Sequence, residues 1–245
     1  MDNLLTNSAH TSHPPNGGPN PGGGGIGTYG ERTLHRELKW RIEPSGAYHE
    51  IPVGKYIADI KDGRGITEIQ TQSFHRLTGK LSAFLPEHRV TLVYPLAREK
   101  QIVWADRQSG KAVRTRRSPK RGTYYQAFRE LYQIKALLTD SNLTVLLVLV
   151  DVSETRVAGA NRKGYSRVDT QIRSIFGELR IGGAGDYQKL IPASLPERFT
   201  SADYAAETGL SKGNAGIALN TLAHVGAVRR TGKSGRFILY EKQVL

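Results

Sequence analysis

The sequence contains no cysteine, and this absence removes several kinds of chemistry at once. It excludes a disulfide framework, a thiol nucleophile and a cysteine-ligated zinc site. Long hydrophobic runs are also missing, because the most apolar stretch, residues 143–150, is far too short to cross a bilayer. The start has no basic segment followed by an apolar one, so we expect no secretory signal. Together these features predict a cytoplasmic protein with no membrane partner.

Acidic residues are scarce relative to basic ones. The 245 residues include 35 lysines and arginines against 22 aspartates and glutamates, a formal net charge of +13. A basic excess of this size favours a polyanionic partner, most simply a nucleic acid such as DNA or else an anionic membrane surface, and a merely soluble basic protein is the alternative. The length suffices for one good hydrophobic core and a smaller second one.

Residues 1–28 have little apolar content. They contain the run NGGPNPGGGGIG, and such a composition cannot bury enough apolar surface to offset the entropy of ordering. We therefore predict a flexible tail. The glycine run neither follows a strand nor precedes a Lys-Ser or Lys-Thr pair, which excludes a phosphate-binding loop.

The segment 55–72 has the pattern of a β-hairpin. Two runs of alternating polar and apolar residues flank the turn sequence DGRG. If Lys61 pairs with Ile66, then Asp59 lies opposite Glu68 on the same face of the sheet. Adjacent carboxylates repel unless a positive charge lies between them, and a divalent cation with oxygen ligands is the usual solution. This pair is the candidate active site.

These residues resemble the PD-(D/E)xK nuclease superfamily, whose signature is an Asp on one strand and Glu-x-Lys on the next. Asp59 matches the Asp, and Glu68-Ile69-Gln70 matches the tripeptide with Gln in place of Lys, a form found in some restriction endonucleases of the superfamily. The resemblance implies a further carboxylate from the preceding helix, for which Glu31 is the first candidate. It implies catalytic roles for Glu31, Asp59, Glu68 and Gln70, and Mg²⁺ or Mn²⁺ held by the three acids.

Two further residues are open alternatives within this resemblance. Glu37, which follows Glu31 on the same predicted helix, is the second candidate for the helix carboxylate. Lys80 lies on an amphipathic helix predicted over residues 73–85, with Ser73 as its N-cap. Some superfamily members supply the catalytic lysine from this helix, so Lys80 is a candidate substitute for the lysine that Gln70 replaces. A solvated helix face is the more common interpretation of such a lysine, and we favour it here.

The order of the predicted elements fits the same superfamily. A helix from residue 29, three strands, a helix and a strand follow one another between residues 29 and 106. The implied fold is α/β, with a restriction-endonuclease-like mixed central sheet flanked by helices, over residues 29–155. Separate strands are predicted at 49–53, 90–95, 101–105 and 143–150, and a helix at 124–138. Asp151, at the end of the last strand, is either a further acid or an ordinary strand-end residue.

Residues 111–121 (KAVRTRRSPKR) contain six basic residues and no acid. We interpret this run as a solvated loop that tracks a phosphate backbone. The candidate nucleic-acid contacts in it are Arg114, Arg116, Arg117, Lys120 and Arg121. The following segment, 156–189, is polar and basic, and we predict a linker there with a helix near residues 169–179.

Residues 190–245 resemble a winged helix-turn-helix domain. Two helices separated by Gly209 precede two alternating runs around the turn sequence GKSG. The resemblance implies that the second helix enters the major groove and that the wing contacts the DNA backbone. The implied contacts are Lys212, Asn214 and Asn220 on the helix, and Arg229, Arg230, Lys233 and Arg236 on the wing. Winged helices also serve as protein-binding or dimerisation modules, so a homodimer through this domain is the alternative.

Three functions compete at this point. The first is a metal-dependent DNA endonuclease, and the second is a non-catalytic DNA-binding regulator with a degenerate nuclease core. The third is an interaction module, which leaves the like-charged pair Asp59 and Glu68 unexplained. Segments 31–35, 68–71 and 92–100 are also similar to a family of uncharacterised bacterial proteins, which supports the architecture without implying an activity.

Overall fold

The computed structural model describes residues 29–159 and 163–243, with side chains from Thr33 onward. A large mixed sheet has the strand order β1-β2-β3-β4-β6-β7, with β5 paired to β4. Its strands are β1 (His49–Val53), β2 (Tyr56–Asp62), β3 (Gly65–Ile69), β4 (Val90–Ala105), β5 (Ala112–Arg117), β6 (Leu143–Ala158) and β7 (Tyr165–Ile181). Helices α1 (Tyr29–Ile42), α2 (Thr78–Phe84) and α3 (Phe128–Leu131) accompany it. The predicted mixed α/β class is confirmed.

The chain divides into two compact units whose segments alternate along the sequence. The first unit holds the described residues up to Ala47, Ala97–Gly122 and Val148–Glu178, and the second holds Tyr48–Leu96, Thr123–Leu147 and the described residues from Leu179. The predicted boundary at residue 155 falls inside β6. The predicted tail, residues 1–28, lies outside the described residues. Among the helices that are described, none is long and apolar enough to span a membrane.

The hairpin of β2 and β3 in the second unit forms as the sequence predicts. Lys61 pairs with Ile66, and Asp62 pairs with Gly65. Gly65 has a φ of +124°, and a Cβ atom there would lie 2.4 Å from the carbonyl oxygen of Arg89. Only glycine tolerates both the dihedral angle and this close approach. The turn residue therefore fixes the register that positions Asp59.

Strand β3 continues into β4 through a helical crossover. A 3₁₀ turn (Phe74–Leu77) and α2 connect the two strands, which pair in parallel with Ile69 beside Val93. Leu81 and Phe84 are buried at helical spacing, as predicted. The predicted N-cap is wrong, because Ser73 has a φ of +60° and its side chain makes no capping hydrogen bond. Antiparallel hairpin, helix and parallel strand thus follow in the predicted order.

The C-terminal elements of the second unit form a small three-stranded sheet with two helices. They are β8 (Arg198–Thr200), α4 (Ser201–Thr208), α5 (Lys212–His224), β9 (Val228–Ser234) and β10 (Phe237–Lys242), and the sheet order is β8-β10-β9. Thr200 and Asp203 form a reciprocal capping box on α4. Gly209, with a φ of 70°, ends this helix in the left-handed conformation. The predicted order of helix, helix and hairpin is confirmed, and its identity as a winged helix stays a prediction.

Two secondary-structure predictions are wrong in kind. The helix predicted near residues 169–179 is part of the long strand β7. The β-branched residues Val168, Thr170 and Ile172 alternate with polar residues, which is a strand period that the helix prediction missed. The predicted solvated loop at 111–121 contains β5. Backbone pairing with β4 supplies its hydrogen bonds, and its side chains stay exposed.

Three further predictions are wrong in extent. The strands predicted at 90–95 and 101–105 are one strand, β4, and the strand predicted at 143–150 runs on to residue 158. The helix predicted at 124–138 is a succession of 3₁₀ turns around the short α3. Ile134 has φ −116° and ψ 19°, which are not helical values and which interrupt the helix.

Candidate functional site

The predicted pair of acids is brought together on adjacent strands. The backbone N–H of Asp59 on β2 donates to Oε1 of Glu68 on β3 at 3.2 Å. The backbone N–H of Ile69 donates to Oδ2 of Asp59 at 2.8 Å. Each carboxylate therefore accepts a hydrogen bond from the backbone of the opposite strand. This exchange fixes both groups on the hairpin.

Lys80 adds a third charged group from α2. Its Nζ atom lies 2.5 Å from Oε2 of Glu68, and the side chains of Lys80 and Glu68 are 17% and 2% exposed. The ammonium also lies 5.9 Å from the centroid of the Phe84 ring, one helical turn further on. The interpretation of Lys80 as a solvated residue is therefore wrong. The spacing of Lys80 and Phe84 on one helix face was the signal in the sequence that could have indicated this.

The electrostatics of Glu68 follow from burial and from its two charged neighbours. Burial and the nearby Asp59 carboxylate raise the pKa of Glu68 to about 7, while Lys80 acts in the opposite direction. Glu68 thus has one carboxylate and one ammonium as its charged neighbours. A pKa of about 7 places the change in protonation of Glu68 near neutral pH.

Gln70 follows the pair along the chain, and its backbone N–H donates to the carbonyl of Val93 at 2.9 Å. Its side-chain amide donates to the backbone carbonyl of Gln72. The amide is therefore engaged by the chain itself, and it supplies no positive charge beside Glu68.

The predicted helix carboxylates have different outcomes. The side chain of Glu31 lies outside the described residues, so its role stays a prediction. Glu37 accepts a hydrogen bond from the backbone N–H of Ile172 at 2.9 Å, and burial raises its pKa. Asp151 accepts hydrogen bonds from Arg98, at 2.8 Å to Nε, and from Ser174, which gives it a structural role in the first unit. Among the side chains that are described, no three His, Asp or Glu residues group as a metal site.

The predicted basic contacts in the first unit lie on and after β5. Arg114, Arg116 and Arg117 are exposed on this strand, and Lys120 and Arg121 follow it. Arg117 lies 3.8 Å from Glu99, and Arg121 also pairs with Glu99. Because successive residues of a strand project from opposite faces, Arg114 and Arg116 share one face of β5 and Arg117 lies on the other.

The predicted contacts of the C-terminal module are exposed, with one exception. The exposed residues are Lys212, Asn214, Arg229, Arg230, Lys233 and Arg236. Arg229 donates to Glu241 at 2.7 Å. The prediction that Asn220 faces outward is wrong: it is half-buried and accepts a hydrogen bond from Lys135 at 3.1 Å. Asn220 is half-buried because the 3₁₀ segment Tyr132–Leu137, which contains Lys135, packs against α5. The sequence alone did not indicate this contact.

Comparisons with known proteins identify the family. Residues 32–182, more than half of the chain, match the family described as a domain of unknown function (DUF8091), and the chain belongs to this family. A protein from Treponema pallidum (strain Nichols), described as uncharacterized, is 32% identical over 225 residues, which cover 89% of this chain and 88% of the relative. No solved structure matches the chain. The family match ends before the C-terminal module.

Proposed function

We propose that the protein is a metal-dependent nuclease that hydrolyses phosphodiester bonds in DNA. Asp59 and Glu68 hold the metal in this proposal, and Lys80 supplies the positive charge that the tripeptide lacks. The observation that carries the proposal is the convergence of these three side chains from β2, β3 and α2.

The order of the elements supports this proposal. A helix, an antiparallel three-stranded meander, a helical crossover and a strand parallel to β3 follow one another. This is the order in which PD-(D/E)xK nucleases present an Asp and a Glu on neighbouring strands. A restriction-endonuclease-like fold is therefore part of the proposal.

The donor set of the hairpin fits a hard divalent cation. Mg²⁺ and Mn²⁺ favour carboxylate oxygens, and Asp59 and Glu68 provide two of them side by side. The pKa of Glu68 near 7 means that this group is available as a ligand once it loses its proton. When bound, such an ion activates a water molecule and stabilises negative charge on the phosphate.

Lys80 acts from α2 on the same site. Its ammonium neutralises Glu68 and stays partly exposed, where a phosphate oxygen can accept a hydrogen bond from it. Gln70 cannot place positive charge there, because an amide is neutral. In the proposal, Lys80 therefore takes the role that lysine of the tripeptide has in related nucleases.

The rest of the chain supports a DNA substrate. The formal net charge of +13 favours phosphate binding. The exposed basic strand β5 and the C-terminal module offer two surfaces for backbone contacts. A winged-helix role for the module and a cytoplasmic location belong to the same proposal.

The test is a plasmid-nicking assay in Mg²⁺ and Mn²⁺. Asp59→Asn, Glu68→Gln and Lys80→Gln should each lower the rate of nicking at least a hundredfold. Asp62→Asn is the matched control, because Asp62 lies on the same strand and pairs with Arg64. Its rate should equal that of the wild type. A wild type that binds DNA but cleaves none with either metal would refute the nuclease.

One observation favours a second candidate, a non-catalytic DNA-binding protein. Both acids and Gln70 already have hydrogen-bond partners within the chain. A site completed in this way can be purely structural. Salt-dependent DNA binding that Asp59→Asn leaves intact, together with no cleavage, is the result that would select this function.

A further inference from the structure

One face of the first unit combines basic and aromatic side chains. In the pairing of β4 with β5, Arg114 lies opposite Trp104 and Arg116 lies opposite Ile102. Directly opposite residues of an antiparallel pair project from the same face of the sheet. Two exposed guanidinium groups thus share a face with a half-buried indole.

Strands β6 and β7 place further aromatic and basic side chains next to Trp104. The rings of Trp104 and Tyr165 are in edge-to-face contact, with centroids 5.8 Å apart and planes at 76°. The guanidinium of Arg156 lies 4.0 Å from the centroid of the Tyr165 ring. Aromatic and cationic groups therefore alternate across three strands.

A buried acid holds the basic groups in place. Glu154, which is 1% exposed, lies 3.3 Å from Arg167 and 3.7 Å from Lys100, and it also pairs with Arg156. Three cations gather around one anion, and Arg114 and Arg116 lie beyond them on β5. The arrangement keeps a net positive charge next to the aromatic pair.

We propose that this surface binds unpaired nucleotides of single-stranded DNA. We call it the aromatic–basic surface and define it by Trp104, Tyr165, Arg114, Arg116, Arg156 and Arg167. Single-strand binding sites combine a positive track for the backbone with aromatic rings on which bases stack. Bases in an intact duplex are already stacked on one another, so only an unpaired base can reach the rings. The proposal rests on the proposed function for its substrate class, and it adds a preference for strands that are open.

The two tryptophans of the chain make the proposal directly measurable. In a Trp40→Phe variant, Trp104 is the one remaining tryptophan, and in Trp104→Phe it is Trp40. Fluorescence is followed in EDTA during titration with a 16-nucleotide oligothymidylate. The Trp40→Phe protein should be quenched by at least a third, and Trp104→Phe should not be quenched. An abasic oligomer of the same length should bind without quenching, because it has phosphates and no bases.

Affinity measurements provide the second readout. Trp104→Ala should weaken binding of the oligothymidylate roughly fivefold or more, and Trp104→Phe should restore most of it. Arg114→Gln with Arg116→Gln should lower the slope of log affinity against log salt by about 1.4. The charge-matched control is Arg64→Gln with Lys189→Gln, in which both residues pair with acids elsewhere. Its slope should be unchanged.

Three results would overturn the proposal. They are equal quenching of Trp104 by the abasic oligomer, equal quenching by a duplex of the same length, and tighter binding of oligouridylate, which would assign the surface to RNA. Because EDTA prevents cleavage, these results are independent of the nicking assay. A protein that nicks DNA without quenching refutes this surface alone, and one that quenches without nicking refutes the nuclease alone.

Discussion

Two glutamates of this protein are almost completely buried, yet their electrostatics are opposite. Glu68 on β3 is 2% exposed and Glu154 on β6 is 1% exposed. Burial alone would raise the pKa of both carboxyl groups. It does so for Glu68, to about 7, whereas cationic neighbours lower the pKa of Glu154 below its usual value.

The difference lies in the balance of charge around each carboxylate. Glu154 has Arg167, Arg156 and Lys100 as partners. Glu68 has Lys80, and the carboxylate of Asp59 stands beside it. A buried carboxylate with several cationic partners has a structural role, because it stays charged and orients those partners.

A buried acid with too little positive charge is a different kind of group. It takes up a proton near neutral pH, or it is stabilised by a cation from solution. Perturbed carboxyl groups of this type are concentrated at functional sites. The contrast between the two glutamates is therefore the physical reason for placing the proposed active site on the hairpin, and the following predictions test it.

The largest effect is expected for Glu154→Gln. Removing the anion leaves three clustered cations that repel one another, and breaking a buried pair in this way costs about 3 kcal/mol of the free energy of unfolding. Urea denaturation measures the loss. Glu99→Gln is the control, because Glu99 is 17% exposed and its pairs with arginine are partly solvated; its loss should stay below about 1 kcal/mol. Equal losses would remove the distinction between a structural anion and a surface pair.

The next effect is the pH dependence of stability due to Glu68. The folded state holds the proton up to pH about 7, whereas the unfolded chain releases it near 4.5. The contribution of the Glu68 proton to the free energy of unfolding is therefore fully present below pH 4.5. It is lost as the pH rises from 4.5 through 7, and the total loss is about 3 kcal/mol. The measurement is the free energy of unfolding of the wild type minus that of Glu68→Gln, in EDTA.

The control for this measurement is Glu87→Gln, which replaces an exposed glutamate after α2. The change with pH should be much larger for Glu68→Gln than for this variant, because Glu87 is exposed to solvent and Glu68 is buried. A difference for Glu68→Gln that increases with pH would mean that the carboxylate is stabilised as an anion, like Glu154.

A smaller effect is expected when Lys80 is replaced. Lys80 lowers the pKa of Glu68 against the effect of burial, so Lys80→Met should raise that pKa further above 7, by about one pH unit. Carboxyl ¹³C NMR of the glutamate side chains reports the value directly. Lys80→Arg keeps the charge and should return the midpoint to about 7. An unchanged midpoint in Lys80→Met would show that burial and Asp59 alone determine it.

The sequence predicts the hairpin well because its rules are local. The alternation of residues and Gly65 determine the register, and the register places Asp59 beside Glu68. The caps of α4 and the order of the C-terminal elements are local in the same sense. For these elements, residues close together in the sequence determine the structure, so the sequence alone is enough to predict it.

The parts that could not be predicted depend on partners distant in sequence. Glu154 is interpretable only with Lys100, 54 positions earlier, and with Arg167 across a hairpin. The basic segment forms strand β5 because its backbone pairs with β4, and this pairing is not visible in the sequence of the segment itself. Lys80 reads as a surface residue until the crossover places it over β3.

The smallest effect is expected for Gln70→Lys, which gives Glu68 a second cation and so makes it resemble Glu154. Gln70 directly follows β3, two residues after Glu68, and its backbone N–H still pairs with Val93. A lysine there should lower the pKa of Glu68 by roughly half a pH unit, because charges at this separation are partly screened by solvent. Gln72→Lys adds the same charge two residues further along the chain from Glu68 and is the control in the ¹³C titration. A midpoint that moves equally in both variants would show that the net charge of the protein, and not the distance of the new lysine from Glu68, determines it.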